Sequence, residues 1–400
     1  MDVSGGRVAI VHYWLVTMRG GEKVLEALCR LFPQAEIFTL FCEPEHLSPF
    51  LRSRKIHTSF LNPLRRIYRG LLPLMPLALE SFDLRGYDLV ISSESGPAKG
   101  VIVSSTARHV CYCHTPMRYL WELYPFYRND VIQSGLKRAL LAPLASYLRL
   151  WDYASAARVD TFVANSENVR RRIRRAYGRP ARVVYPPVEA DRFECRRSED
   201  YYLIVSELTA YKRIDYAVRW FARSGRRLRI AGDGPEYRRL KALAGSRVEF
   251  CGRVSDDEIR RLYASANALI MPGEEDFGLT MVESLASGKP VIGLGRGGAV
   301  EIVKDHCGIL FNEPREEELE RGIRQYERDP GRFDPDRLRR EARRFSFESF
   351  ANGLRSAIED RPWTGTAGEP EYEPVGCANG VRQVSRRRES SVYRTLFRRG

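Results

Sequence analysis

Short apolar runs alternate with amphipathic helices along most of this chain, and the alternation starts twice. Parallel strands need a crossover between them, usually a helix, so the pattern predicts parallel sheets with helices on their faces. In the first half, Val8–His12 reads as a buried strand. Gly20-Gly21 then precedes a helix over 22–31 whose Val24, Leu25, Leu28 and Leu31 share one face. Further strands read at 89–92, 101–104, 110–114 and 161–165, with a long helical stretch over 135–157 between the last two. Asn165-Ser166 caps a basic helix over Glu167–Tyr177, and a short strand at 182–185 runs into Pro186-Pro187, where the domain boundary is placed. The second half restarts with strands at 202–206, Leu228–Ala231, 248–250, 268–271 and Val291–Leu294. Its helices read at 215–224, Asp256–Ser265 and 280–287, and a last amphipathic helix covers 345–359. The expected fold class is α/β, two Rossmann-like doubly wound units in series.

The 400 residues fit two domains at roughly 100–200 residues each. The expected division is an N-terminal domain over 1–186, a second over 187–345 and a helix over 346–360 packing back on the first. A basic, disordered tail follows over 361–400. A net charge of +14 favours anionic partners. The eight cysteines include no CxxC pair and read as reduced core residues of a cytoplasmic protein, with Cys111 and Cys113 on one strand face. The start of the chain lacks the charged-then-apolar pattern of a signal. The longest apolar stretches, 71–79 and 139–148, are interrupted by Pro73, Pro76 and Pro143 and fall short of the ~20 residues of a spanning helix. A chain that is not integral to a membrane is expected, with peripheral contact at the inner face of the cytoplasmic membrane compatible with its charge.

The segment from Met271 to Glu283 carries the strongest chemistry. It leaves a buried strand, passes through Glu274-Glu275-Asp276-Phe277-Gly278 and opens a helix. A helix start offers unpaired N–H groups and a positive dipole end, and Gly278 lets a phosphate approach the backbone. Glu275 in the loop can accept from sugar hydroxyls, and Glu283, one turn into the helix, can take a ribose diol. An acidic helix start alone is commonplace, but in open sheets of this kind ligands bind beyond the C-terminal ends of the strands.

This segment resembles the E-x7-E motif of retaining family 4 glycosyltransferases (glycosyl transferases group 1) with the GT-B fold, two Rossmann-like domains facing a cleft. The similarity continues through Ala286-Ser287-Gly288-Lys289-Pro290, Gly297-Gly298, Gly232-Asp233-Gly234-Pro235 and Tyr211-Lys212-Arg213. In the first half it takes in Gly20-Gly21-Glu22-Lys23, Cys113-His114-Thr115-Pro116-Met117-Arg118 and Val163-Ala164-Asn165-Ser166. It covers the chain from about Val8 to Glu359 and is greatest toward mannosyltransferases that build surface polysaccharides.

The resemblance implies transfer of a hexose, most plainly mannose from GDP-mannose, to a glycan or lipid-linked acceptor with retention of configuration and without a metal or other cofactor. His114 and Glu275 are the expected catalytic pair. Lys212, Arg213, Gly232, Gly234, Phe277, Gly278, Leu279 and Glu283 are expected at the donor, and Gly20 and Gly21 in a loop that closes on phosphate or acceptor. Lys212 matches the family's phosphate-binding lysine and would stabilise charge on the leaving diphosphate. Where the family often has an arginine, five residues earlier, this chain has Glu207. His12 reads as core or cleft lining.

Two basic stretches stand apart. Arg52, Arg54, Lys55, Arg65, Arg66 and Arg69 interleave with Leu61, Leu64, Ile67, Leu71 and Leu72, without an acid. This fits either an anionic bilayer or a basic surface over an internal helix. Arg170, Arg171, Arg172, Arg174 and Arg175 read as a solvated helix face, and no nucleic-acid-reading motif accompanies them. Two rival functions remain: a nucleotide-sugar epimerase of the same fold, and a non-catalytic binder of anionic membrane or nucleic acid.

Overall fold

The computed structural model describes residues 6–132 and 134–359. The tail expected over 361–400 lies outside the described residues. The first sheet holds β1 (Val8–His12), β2 (Glu36–Thr39), β3 (Ile56–Thr58), β4 (Leu89–Glu94), β5 (Arg108–Cys113), β6 (Thr161–Ala164) and β7 (Ala181–Val183). Its order is β3-β2-β1-β4-β5-β6-β7, with every pairing parallel. The second holds β8 (Tyr202–Val205), β9 (Leu228–Ala231), β10 (Val248–Gly252), β11 (Leu269–Met271), β12 (Val291–Leu294) and β13 (Gly308–Phe311). Its order is β10-β9-β8-β11-β12-β13, again all parallel. Both sheets reverse direction of growth once, between β1 and β4 and between β8 and β11. Such a reversal opens a crevice at the C-terminal strand ends because the flanking connections leave to opposite sides.

The central strands are apolar on both faces, as β1 shows with Val8, Ala9, Ile10 and Val11 all buried. One face of the second sheet buries Leu203, Met281, Val282 and Leu285, the other Ile204, Val218, Phe221 and Ile230. The closing helix, Phe347–Glu359, sets Phe350, Leu354 and Ile358 into the core of the first sheet, with the Phe350 ring 5.6 Å from Tyr112. Cys111 and Cys113 are free thiols buried on one face of β5.

The strand expected at 101–104 does not form; the chain there is irregular after a single turn at Ala98–Gly100. β4 already pairs with β1 on one side and β5 on the other, so no position beside β4 is free for it. Trp151 sits against Gly100 and Lys99 is ion-paired to Asp152, which fixes the segment to the Gly135–Ala156 helix instead. Gly20 and Gly21 are not in a loop either. They are the first two residues of the Gly20–Leu31 helix, with Arg19 as its N-cap and the Arg19 N–H donating to Glu22 at 2.9 Å.

Candidate active site

The loops that leave β8 and β11 flank the reversal point of the second sheet. Lys212 lies in the first and Glu275 in the second, and their side chains form an ion pair. Burial alone would lower the Lys212 ammonium; Glu275, followed by Tyr211, more than offsets that and holds it above the ordinary lysine value. Glycines let the β11 and β9 loops approach the β8 loop. A Cβ on Gly273 would lie 2.4 Å from the Lys212 carbonyl oxygen, and one on Gly232 or Gly234 would meet the Ser206 or Leu208 carbonyl. Gly232 and Gly234, expected at the donor, thus act here by packing behind the β8 loop.

Gly278 adopts φ +97°, a left-handed conformation open to glycine, and caps the Leu279–Ala286 helix without a side-chain acceptor. The first N–H groups of that helix therefore have no cap from it. Leu279 touches Gly20 across the cleft, so the starts of the Leu279–Ala286 and Gly20–Leu31 helices come together at one place. The Phe277 ring is 3% exposed and packs on Tyr185 and Phe345, at 5.6 and 5.4 Å, so its side chain serves the core. Glu283 is buried one turn into the helix. Its carboxylate accepts from Lys23 Nζ at 3.1 Å and from the Tyr263 hydroxyl at 3.0 Å. A cavity of 380 Å³ runs beside it, lined by Met18, Lys23, Val188, Ile259 and Leu279 among others.

The first sheet supplies the opposite wall. Ser93, near the end of β4, sits between two histidines: its hydroxyl is 3.0 Å from His12 Nδ1 and 3.0 Å from His114 Nε2. Burial, then the neighbouring His12, pushes His114 down to about 3, so it stays neutral and offers a hydrogen bond, not a charge. His12 is fully buried, with Nε2 3.7 Å from Glu22. Tyr13 extends the wall beside Gly21 and stacks at 4.3 Å on His12.

Among the described residues, five cations of the first half reach acids of the second, one of them Arg30 on Glu189. Arg19 pairs with Glu207 at 2.7 Å, Lys23 with Glu283, Arg118 with Asp276 at 3.5 Å, and Arg172 with Glu274 at 2.7 Å and with Asp276. Arg213 adopts a left-handed φ of +52° and turns its side chain to Asp215, so it does not answer Glu207; Arg19 does. Arg172 corrects the reading of a wholly solvated basic helix: it is 12% exposed, while Arg170, Arg171, Arg174 and Arg175 are exposed as expected. Helical spacing puts it next to the stripe Val169–Ile173–Ala176, the one sequence signal that distinguishes it. Ser166 caps the same helix and donates to the Asp276 carbonyl at 2.7 Å, and Glu301 accepts from the Glu167 and Asn168 amides at 2.8 and 2.9 Å. Nothing local in the sequence marks Arg19, Lys23 and Glu301, because pairing across two halves of a chain leaves no local pattern, and Tyr263 reaches Glu283 from a separate helix of the second half. Among the described residues, one grouping has metal-ligand chemistry, His306, Cys307 and Glu341, and Arg344 also holds Glu341 at 2.9 Å.

Two family profiles match this arrangement half by half. "Glycosyltransferase Family 4" matches residues 18–192 and "Glycosyl transferases group 1" matches 189–345. The chain is built from two glycosyltransferase domains. Its GT-B fold is shared with sucrose-phosphate synthase from Thermosynechococcus elongatus, at a TM-score of 0.67 and 17% identity over 88% of this chain and 98% of that one. An uncharacterized glycosyltransferase of Methanocaldococcus jannaschii is 32% identical over 123 residues, 28% of this chain and 32% of that protein. A GDP-mannose-dependent alpha-mannosyltransferase of Corynebacterium glutamicum is 32% identical over 110 residues, 27% and 26% of the two lengths. The chain thus spans about a third or less of the length of these two relatives. The β8–β11 loops with Lys212 and Glu275 and the first-sheet wall with His114 bound the candidate cleft.

Proposed function

We propose that this protein transfers a hexosyl group, mannose from GDP-mannose, to a hydroxyl of a glycan or lipid-linked acceptor in surface polysaccharide synthesis, with retention of configuration. The observation that carries this reading is the meeting of Lys212 and Glu275 at the reversal point of the second sheet, where two helix starts converge. A diphosphate entering there finds an ammonium, unpaired N–H groups and Arg19 within one small volume. Its charge would draw Lys212 and Arg19 from their carboxylates, freeing Glu275 for the sugar hydroxyls. Glu283, released from Lys23, takes the ribose. In the reaction the bond from the anomeric carbon to the phosphate oxygen breaks and a bond to the acceptor oxygen forms. The acceptor proton passes to the departing phosphate, whose growing charge Lys212 stabilises in the transition state. Fixed cations and helix ends serve here in place of a divalent ion. Neutral His114 lines the wall near the anomeric carbon as a hydrogen-bonding group. The name of the Corynebacterium relative supports mannose and guanosine diphosphate.

A thermal-shift screen across GDP-, UDP- and ADP-sugars tests the donor directly, since a ligand that binds the folded state raises its melting point by mass action. GDP-mannose is expected to give the largest shift. A larger shift with a uridine or adenosine donor would replace the donor, and no shift with any would remove the reading.

A further inference from the structure

Of the twelve large hydrophobic side chains exposed among the described residues, ten lie in two stretches, 60–77 and 136–153. Leu64, Ile67 and Leu77 project from the first, and Leu136, Leu140 and Leu150 from the second, which is exposed up to 72%. In the Gly135–Ala156 helix, Leu136, Leu140, Tyr147 and Leu150 follow spacings of four, seven and three, so they form one stripe. The opposite side of that helix is spent on the core: Ala145 and Leu148 are buried with Met117 and Leu120. Leu72 of the first stretch packs on this same cluster, and Trp151 donates to Glu80 at 2.9 Å just beyond it. The two stretches are therefore neighbours, and their outward sides make one apolar face far richer than scattered surface residues.

Within the two stretches the charge has one sign. No Asp or Glu occurs between Glu45 and Glu80 or between Asp130 and Asp152, while Arg65, Arg66, Arg69 and Arg149 fall inside. Arg66 is exposed and has no ion pair among the described residues. Apolar side chains set among unpaired arginines match a surface that is anionic outside and hydrocarbon beneath. The face also reaches the cleft. Tyr68 packs against Trp14 at 5.3 Å, Trp14 meets Tyr13 edge-on at 4.7 Å, and Tyr13 packs against His12, while Arg69 donates to the Tyr68 hydroxyl at 3.2 Å.

We propose that the outer side of 60–77 and 136–153 seats the protein on an anionic lipid bilayer, with the cleft opening beside that contact. Its consequence for the acceptor rests on the reading given above: the acceptor is an amphiphile whose hydroxyl reaches His114 while its lipid end stays in the bilayer. Co-sedimentation of the full chain tests the surface without any need for turnover, using vesicles of phosphatidylcholine alone or mixed with phosphatidylglycerol. Binding is expected only with the mixed vesicles and is expected to weaken as salt is raised. Paired substitution Ile67→Glu with Leu140→Glu should reduce binding about tenfold or more, and Arg65→Gln with Arg66→Gln should do the same. Both variants should keep the wild-type melting point and the wild-type shift with nucleotide sugar, which separates this surface from the donor reading. Equal binding to both vesicle types, or variants that bind like wild type, would overturn the proposal. So would a wild-type dimer in analytical ultracentrifugation that the apolar substitutions dissociate, because the face would then be a contact between copies.

Discussion

Lys212 stands between Glu275 and the space where a diphosphate would sit, and its worth in the reaction depends on exchanging one for the other. Removing a preorganised charge aimed at a leaving group costs about 10²–10³ in kcat. Lys212→Ala is therefore expected to lose that much in steady-state transfer. Arg19 and Glu207 make a sharper case, because they reverse the expected charge at one position. Arg19→Ala should weaken donor binding about tenfold, as loss of one charge-assisted contact does. If Arg19 stands in for the missing arginine, Glu207→Arg in that background should recover part of the loss, measured by titration calorimetry. No recovery would mean that Arg19 serves only to hold Glu207. Candidate identity could be read from the sequence wherever one side chain would determine the chemistry, as at Lys212, Glu275 and His114. It could not be read where function needs a partner from the other half, as at Lys23 on Glu283 or Arg172 on Asp276.

Glu301 shows how one element is held by another. Its carboxylate takes two free amides at the start of the Glu167–Tyr177 helix, where a negative charge also meets the positive dipole end. Burial raises the Glu301 carboxyl, and the two backbone amides partly counter it. Glu301→Ala should cost about 1–2 kcal/mol in denaturant unfolding, and Glu301→Gln less. The β8 and β11 loops were legible as ligand loops because strand, glycine and helix start follow one another in a short span. The helix over Glu167–Tyr177 was legible from its Ser166 cap. The strands β2, β3 and β13 were not legible; they are no shorter than several strands that were, so length alone does not account for it. Residues 101–104 misled because they have strand composition, but pairing partners are a property of the whole sheet.

Across the whole molecule, buried titratable groups tie stability to pH. Burial drives His109, which is 3.0 Å from the Ser92 hydroxyl, down to about 4. The unfolded chain takes up that proton near pH 6.5, so the stability His109 contributes is present above 6.5 and is lost as pH falls toward 4, about 3 kcal/mol in all. His114 acts in the same direction. Glu94 opposes them: burial, against the pull of Lys99, raises it to about 7, so its contribution is present below 4.5 and is lost as pH rises through 7. Against Glu94 and the less shifted Glu301, the two histidines leave a net loss on acidification between pH 6.5 and 5. The melting point should fall across that window, and His109→Gln should flatten the slope.

The central claim is that the cleft between the β8–β11 loops and the His114 wall binds a nucleotide sugar. Titration calorimetry of GDP-mannose against the wild type, Lys212→Ala and Glu275→Ala measures it without knowledge of the acceptor. Saturable binding to the wild type, weakened about tenfold or more in each variant, is predicted. Wild-type affinity in both variants, or no heat of binding with any nucleotide sugar, would contradict it.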